Sequence, residues 1–224
     1  MIPYKDDNPT VTFPFVTMGI IAANVLIFLM ELTSQSGMKD VTYSYGAIPH
    51  YILTFEKKQP VPPALTIFSS MFMHGGFFHL GGNMLYLWIF GNNIEDRLGH
   101  LRFVSFYIFC GIVAAYSYAI TNPHSLTPMI GASGAISGVL GAYLLLFPKA
   151  SVHTLVFLGI FITTVRVPAL IVIGFWAIIQ FASGLISAEL RESGGIAWFA
   201  HVGGFLVGLM TIKLWLPRRT KRWS

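Results

Sequence analysis

Ser133 and His201 have side chains that can together carry out acyl transfer. A serine hydroxyl becomes a nucleophile when a base removes its proton, and an imidazole can take that proton and return it to a leaving amine. Because the two residues are far apart in the chain, this chemistry requires the fold to bring them within about 3 Å of each other. The same residue types also suit a proton relay, a metal site or ordinary helix packing, and these readings stay open here.

Small residues around both side chains predict how their two segments approach each other. They are Gly134, Gly138 and Gly141 after the serine, and Ala197, Gly204 and Gly208 around the histidine. Each set falls on one face of a helix. Such faces let two membrane helices pack backbone against backbone, so we expect these two helices to be in contact. Similar faces also occur in transporters and in purely structural bundles.

A second pair of polar residues, His79 and Asn83, is spaced so that both point to the same side of a helix. Both can donate hydrogen bonds to a tetrahedral intermediate, and losing one such donor costs roughly 3 kcal/mol in comparable enzymes. The pair predicts an oxyanion site, completed by the backbone N–H of Ser133 or its neighbour. The alternative is a polar clamp between helices. Gln180 is also polar and lies in an apolar segment, but its spacing indicates no role.

The residue types disfavour two other classes of membrane protease. His74 and His79 are five residues apart with no acidic residue between them, which does not match a zinc-binding HExxH motif. Aspartyl chemistry needs two aspartates inside the membrane. The four aspartates of the chain lie near its ends or in loops, at Asp6, Asp7, Asp40 and Asp96. We therefore expect a site that uses neither a metal nor another cofactor.

These side chains must be positioned by membrane-spanning helices, because the composition does not suit a soluble monomer. Of the 224 residues, 54% are hydrophobic and 10% are charged, against about 25% charged in an average soluble domain. Apolar runs predict four long spans and two shorter ones interrupted by polar residues. The six predicted spans are residues 15–32, 77–90, 103–120, 132–147, 168–186 and 196–216. The sequence thus predicts an all-α polytopic membrane protein with a single domain over residues 1–224.

The segments between the spans predict the orientation. Residues 33–65 contain four prolines and are predicted to be a loop rather than a second domain. Residues 152–165 are apolar, and we expect them to lie at the membrane interface, with a seventh crossing as the alternative. With six spans, ten of the 14 Lys and Arg residues lie on the side of both termini, which the positive-inside rule places in the cytoplasm. The basic tail, residues 217–224, is then expected to contact anionic lipid.

Together these motifs resemble those of the rhomboid family of intramembrane serine proteases, from the first span to Gly208. Gly131-Ala132-Ser133-Gly134 matches the family's GxSG motif, and His201 is followed by glycines three and seven residues later. The segment from His74 to Asn83 resembles the HxxxN element preceded by a second histidine. Glu95-Asp96-Arg97-Leu98-Gly99 resembles the family's ExRxG turn.

The resemblance implies a role for each of these residues. Ser133 is the nucleophile, His201 is the general base and acid, and His79 with Asn83 holds the oxyanion, whereas His74 is structural. The glycines implied to lie near the site are Gly131, Gly134, Gly204 and Gly208. The resemblance also implies six helices around a water-filled cavity open to the non-cytoplasmic side. The fifth helix and residues 187–195 would form a lateral gate for single-span membrane substrates, and no cofactor is needed.

One departure from the family concerns the histidine. Some members carry an aromatic residue against it four positions after the serine, where this chain has Ser137.

Two alternative functions stay open. One is a non-catalytic rhomboid-like binder of membrane helices, and the other is a transporter that relays protons through His201 and His79. The expected partners are transmembrane substrates and the lipid bilayer, not nucleic acid, and no oligomeric state is indicated. The lack of a long soluble extension favours a prokaryotic plasma membrane.

Overall fold

Long apolar helices dominate the computed structural model, which describes residues 2–158, 161–189 and 197–217. Within these ranges, four helices are long and apolar enough to cross a membrane. They are α1 (Phe15–Thr33), α7 (His100–Thr121), α9 (Ala169–Glu189) and α10 (Trp198–Trp215). A helix of about 20 residues matches the roughly 30 Å hydrocarbon core of a bilayer. These helices correspond to the first, third, fifth and sixth predicted spans.

The other two predicted spans are also helical. α5 (Phe77–Tyr86) continues through a π-helical turn (Leu87–Gly91) into α6 (Asn92–Leu98), so this helix runs past the predicted end at residue 90. The apolar run stops at Phe90, but the backbone stays helical through the polar residues that follow. α8 (Ser133–Leu146) occupies the fourth predicted span and is almost wholly enclosed by the other helices.

The prediction of a loop over residues 33–65 was wrong. This region contains α2 (Gly37–Tyr45) and α3 (Pro49–Thr54), and α4 (Pro63–Ser70) begins inside it. Proline breaks a helix only in its interior, and Pro49 and Pro63 occupy the first turns of α3 and α4. A proline N–H is not needed there, because the first-turn amides have no partner in the helix.

The apolar run at residues 152–165 is a β-hairpin. β2 (Ser151–Leu158) pairs antiparallel with β3 (Phe161–Pro168), and β1 (Ile2–Asp6) pairs with the other edge of β2. Because Ser151 lies opposite Pro168, the chain enters and leaves the hairpin at the same end. The segment contains several Val, Ile and Thr residues, which favour the extended backbone of a β-strand.

The sheet is tied to the helices by the first residues of the chain. Tyr143 on α8 donates a hydrogen bond to the buried carboxyl group of Asp6 (2.5 Å). The next residue, Asp7, pairs with His153 of β2 (2.5 Å), and this hydrogen bond holds the pKa of Asp7 below its usual range. The sheet therefore packs at the end of α8 that is remote from Ser133.

α1 is anchored by the acidic turn at the end of α6. The buried carboxylate of Glu95 accepts hydrogen bonds from the backbone N–H groups of Val16 (2.9 Å) and Thr17 (2.7 Å). These amides lie in the first turn of α1 and have no acceptor within that helix. A negative charge at a helix N-terminus also interacts favourably with the helix dipole. Glu95 thus caps α1 from a different part of the chain.

Candidate active site

The glycine faces of α8 and α10 bring the two backbones into direct contact. A methyl group at Gly204 would collide with the carbonyl oxygen of Gly134, and one at Gly208 would collide with the carbonyl oxygen of Gly138. No side chain larger than hydrogen fits at either crossing point. The expected close approach of these two helices is therefore present, and it lies directly below Ser133 and His201.

Ser133 is the first residue of α8, and a constrained loop leads into it. Gly131 has a φ of 122°, a conformation that side-chain-bearing residues rarely adopt, and its N–H donates to the carbonyl of Ser70 (2.8 Å). Met129 exchanges two backbone hydrogen bonds with Ala47, at 2.8 and 3.0 Å. The loop is thus held by residues near α2, α3 and α4, which fixes where α8 begins.

The structure places the Ser133 hydroxyl beside the His201 ring. Nε2 of His201 lies 2.7 Å from Oγ of Ser133, although the residues are 68 positions apart in the chain. His201 is in the first turn of α10, so both side chains stand at the same end of the α8–α10 contact. This distance permits transfer of the serine proton to the ring.

The other ring nitrogen of His201 is bound by Gln180 of α9. The distance from Nδ1 of His201 to Oε1 of Gln180 is 2.7 Å, and Gln180 is 7% exposed. An amide oxygen only accepts hydrogen bonds, so this contact puts the ring proton on Nδ1 and leaves the Nε2 lone pair facing Ser133. Sequence reasoning noted Gln180 but gave it no role. The available signal was the cost of placing an amide inside a membrane span without a partner.

Two tryptophans flank the His201 ring. The ring of Trp176, on α9, is 6.1 Å from it and tilted by 38°, and the ring of Trp198 is 6.3 Å away and perpendicular. Ser137 faces elsewhere, because its hydroxyl donates to the carbonyl of Ser133 (2.6 Å). The aromatic contact that some family members make from the serine helix is therefore supplied here by α9 and by the start of α10.

His79 and Asn83 line the same cavity as Ser133 and His201. Nδ1 of His79 accepts a long hydrogen bond from the N–H of Gly75 (3.4 Å), which leaves the proton on Nε2. A methyl group placed on Gly131 would lie 2.7 Å from Nε2 of His79 and 3.6 Å from Oγ of Ser133. The ring of His79 and the hydroxyl of Ser133 therefore both border the same small space beside Gly131. Asn83 is 8% exposed, and its side-chain N–H₂ has no partner among the described residues. Both residues thus have donors to offer to the cavity, and that of His79 lies close to Ser133.

His74 is placed behind His79 rather than in the cavity. It is fully buried, and its ring meets the His79 ring edge to face at 5.0 Å. Its backbone N–H donates to Glu31 of α1 (3.2 Å). Its two ring nitrogens have no hydrogen-bond partner among the described residues, and its structural role stays a prediction.

The cavity that joins these groups has a volume of about 710 Å³. Thr127, Pro128, Met129 and Ile130, from the loop between α7 and α8, form part of its wall. No Asp, Glu, Lys or Arg belongs to the described lining, and the described residues contain no cluster of three or more His, Cys, Asp or Glu that fits a metal ion. Most of the loop expected to act as a gate, residues 187–195, lies outside the described residues.

Comparison with known proteins identifies the class to which this fold and site belong. A family model for the rhomboid domain matches residues 63–218, and the chain belongs to the rhomboid family. It is accordingly an integral membrane protein with multiple crossings, related to intramembrane proteases.

Three relatives illustrate the range of the family. The chain is 33% identical over 197 residues to Rhomboid protein 1, mitochondrial, of Saccharomyces cerevisiae, covering 86% of this chain and 51% of the relative. It is 27% identical over 216 residues to Rhomboid protease GluP of Bacillus subtilis, covering 96% and 37%. It is 30% identical over 166 residues to the human presenilin-associated rhomboid-like protein, mitochondrial, covering 71% and 38%.

The chain spans about half the length, or less, of these curated relatives. They include two mitochondrial proteins as well as a bacterial one. The relatives therefore do not support the expectation of a prokaryotic plasma membrane.

Proposed function

We propose that this protein is a serine endopeptidase that cleaves transmembrane segments of other membrane proteins. The observation that carries the proposal is the contact of 2.7 Å between Ser133 Oγ and His201 Nε2 in a cavity between the helices. Membership of the rhomboid family supports the same reaction class. The two alternatives, a non-catalytic rhomboid-like binder and a small transporter that relays protons, predict no role for the serine as a nucleophile.

In the proposed first step, Ser133 Oγ attacks the peptide carbonyl while His201 Nε2 takes the hydroxyl proton. The carbonyl oxygen becomes negative. This oxygen accepts hydrogen bonds from the Nε2–H of His79, from the amide of Asn83 and from the backbone N–H groups in the first turn of α8. Those backbone groups are free to donate because they have no acceptor within the helix. His201 then returns its proton to the leaving amine, and an ester to Ser133 remains.

The second step is hydrolysis of this ester. A water molecule in the cavity gives a proton to His201 Nε2 and attacks the acyl carbon, and the same donors hold the second oxyanion. The bond from the acyl carbon to Ser133 Oγ then breaks, Oγ takes the proton back from His201, and the carboxylic acid product leaves. The wall formed by Thr127–Ile130 is uncharged but includes a hydroxyl and backbone carbonyls. This wall gives water a polar path that lipid does not offer. The sequence of steps requires neither metal nor cofactor.

We further propose six crossings, with both termini in the cytoplasm and the cavity facing the other side. The positive-inside rule supports this orientation. Substrates are then single-span proteins cut near the non-cytoplasmic end of the span, where the chain must leave its helix to present an extended peptide to Ser133.

The direct test uses purified protein in liposomes with a single-span substrate that has small and helix-breaking residues near one end of the span. Ser133→Ala and His201→Ala should each reduce cleavage by at least about a thousandfold. Ser105→Ala is the matched control, because its hydroxyl bonds within α7 at an exposed position away from the cavity. Substantial cleavage by folded Ser133→Ala protein would refute the proposal.

A further inference from the structure

The ring of His201 contacts α9, a helix that carries neither Ser133 nor His201. Trp176 and Gln180 are four residues apart on α9, so they share one face of that helix, and both contact the His201 ring. We propose that Gln180 is a positioning residue that fixes the tautomer and orientation of His201. This inference rests on the proposed protease function and names a third residue on which that function depends.

The chemistry depends on which atom of the Gln180 amide faces the ring. When Oε1 accepts from Nδ1–H, the Nε2 lone pair is free to take the serine proton. If the amide turned by 180°, its N–H₂ group would donate to Nδ1 and the ring proton would move to Nε2. Nε2 would then donate to Ser133 instead of accepting from it, and the serine would have no base. Only the first arrangement is compatible with nucleophilic attack.

The neutrality of Gln180 suits its surroundings. A carboxylate in this position would also accept from Nδ1–H, but the described cavity lining holds no cation to pair with it. An unpaired charge in a buried, membrane-embedded site is costly, whereas an amide that is hydrogen-bonded is tolerated. Gln180 therefore supplies the acceptor without the charge.

The size of the effect follows from the strength of one hydrogen bond. Without an acceptor at Nδ1, both neutral tautomers of His201 are populated and the ring can rotate away from Ser133. Loss of a single such bond corresponds to about a tenfold fall in rate. Gln180→Leu removes the acceptor but keeps most of the side-chain volume. Gln180→Glu keeps an acceptor and adds a titratable group.

The experiment measures the rate at which a fluorophosphonate modifies Ser133, between pH 5 and pH 9 (about the range in which histidine titrates). In this reaction Ser133 Oγ bonds to phosphorus, fluoride leaves, and His201 takes the serine proton. We expect Gln180→Leu to react about tenfold more slowly at the pH plateau. Gln180→Glu should recover to within about threefold of wild type, because an oxygen of its carboxyl group can still accept the hydrogen bond from Nδ1–H.

The relative reaction rates of Gln180→Leu and Gln180→Glu distinguish a positioning role of Gln180 from a packing role. If Gln180 only filled space, the apolar Leu would be tolerated and the Glu would be harmful, which is the reverse of the expected order. Ile178→Leu is the control for disturbance of α9, because Ile178 is 68% exposed and lies away from the ring. Thermal unfolding of every variant identifies any loss of rate that follows from misfolding.

Failure of this inference differs from failure of the proposed function. If wild type reacts at Ser133 and Gln180→Leu reacts equally fast with the same pH profile, Gln180 has no positioning role and the protease proposal stands. If folded wild type does not react at Ser133, the proposed function itself is wrong. ¹⁵N NMR of labelled histidine gives a second readout, since wild type should hold the proton of His201 on Nδ1 and Gln180→Leu should show a mixture.

Discussion

The side chains around Ser133, the proposed nucleophile, are uncharged. The described cavity lining holds hydroxyl, imidazole and amide groups but no Asp, Glu, Lys or Arg. In the proposed reaction, charge develops in the transition state and in the tetrahedral intermediate that follows, on the substrate oxygen and on the His201 ring. Donors that are already in place when this charge develops lower the barrier without paying for rearrangement at that moment. His79 and Asn83 are the side chains that we propose for this role.

Asn83→Ala should lower kcat by about a hundredfold, with a smaller change in KM, because the lost donor acts mainly in the transition state. Steady-state cleavage of the reconstituted single-span substrate measures both constants. Asn122→Ala is the matched control, since that amide bonds to Tyr118 at the end of α7 and lies outside the cavity. An unchanged kcat in folded Asn83→Ala protein would remove Asn83 from the oxyanion site.

Part of the site is predictable from the sequence because its geometry follows from helix periodicity. The glycines beside Ser133 and His201 indicate that two helices meet there, and the spacing of His79 and Asn83 puts them on one face. The contact from Gln180 is different. Its partner lies on another helix, and no spacing along the chain indicates which ring nitrogen of His201 would face α9.

At the scale of elements, α8 is the helix around which the others are organised. It contacts α10 through glycines along its length and is linked to β1 at its far end through Tyr143. The order of the long helices was predictable because a 20-residue apolar run has few other uses. The hairpin and the helices α2 and α3 were not. Short apolar or proline-containing segments suit several backbones, and contacts distant in sequence decide among them.

Gly208→Val tests the packing of α8 against α10. The new side chain would meet the backbone of Gly138, which cannot move aside as a flexible side chain does. We expect a loss of at least about 2 kcal/mol in stability and a parallel loss of activity. Gly19→Val is the control, because a side chain at this position of α1 meets no atom within 4 Å. A Gly208→Val protein that is as stable as wild type but inactive would contradict this account of the contact.

On the scale of the whole molecule, the two ends of the helix bundle differ. One end carries α2, α3, α4 and the loop that enters Ser133, and the cavity lies there. The other end carries the three-stranded sheet, beside Tyr143 and the start of α9. The position of the proposed catalytic centre near one end fits a reaction in which water must enter from one side of the membrane.

The proposed orientation predicts which side each end faces. Lys57→Cys, between α3 and α4, should react with a membrane-impermeant maleimide on spheroplasts of an expressing bacterium. Arg102→Cys, near the start of α7, should react only after permeabilisation. Both positions are exposed, and the native Cys110 is buried and should stay unlabelled. The opposite labelling pattern would invert the orientation and place the cavity on the cytoplasmic side.

The central claim is that Ser133 is a nucleophile activated by His201, and intact-mass analysis after fluorophosphonate treatment tests it without a known substrate. The account predicts one covalent adduct on wild-type protein, mapped to Ser133 by peptide analysis, and no adduct on Ser133→Ala or His201→Ala. An adduct on a different residue, or none on folded wild type with an accessible cavity, would contradict it and favour a binder or a transporter.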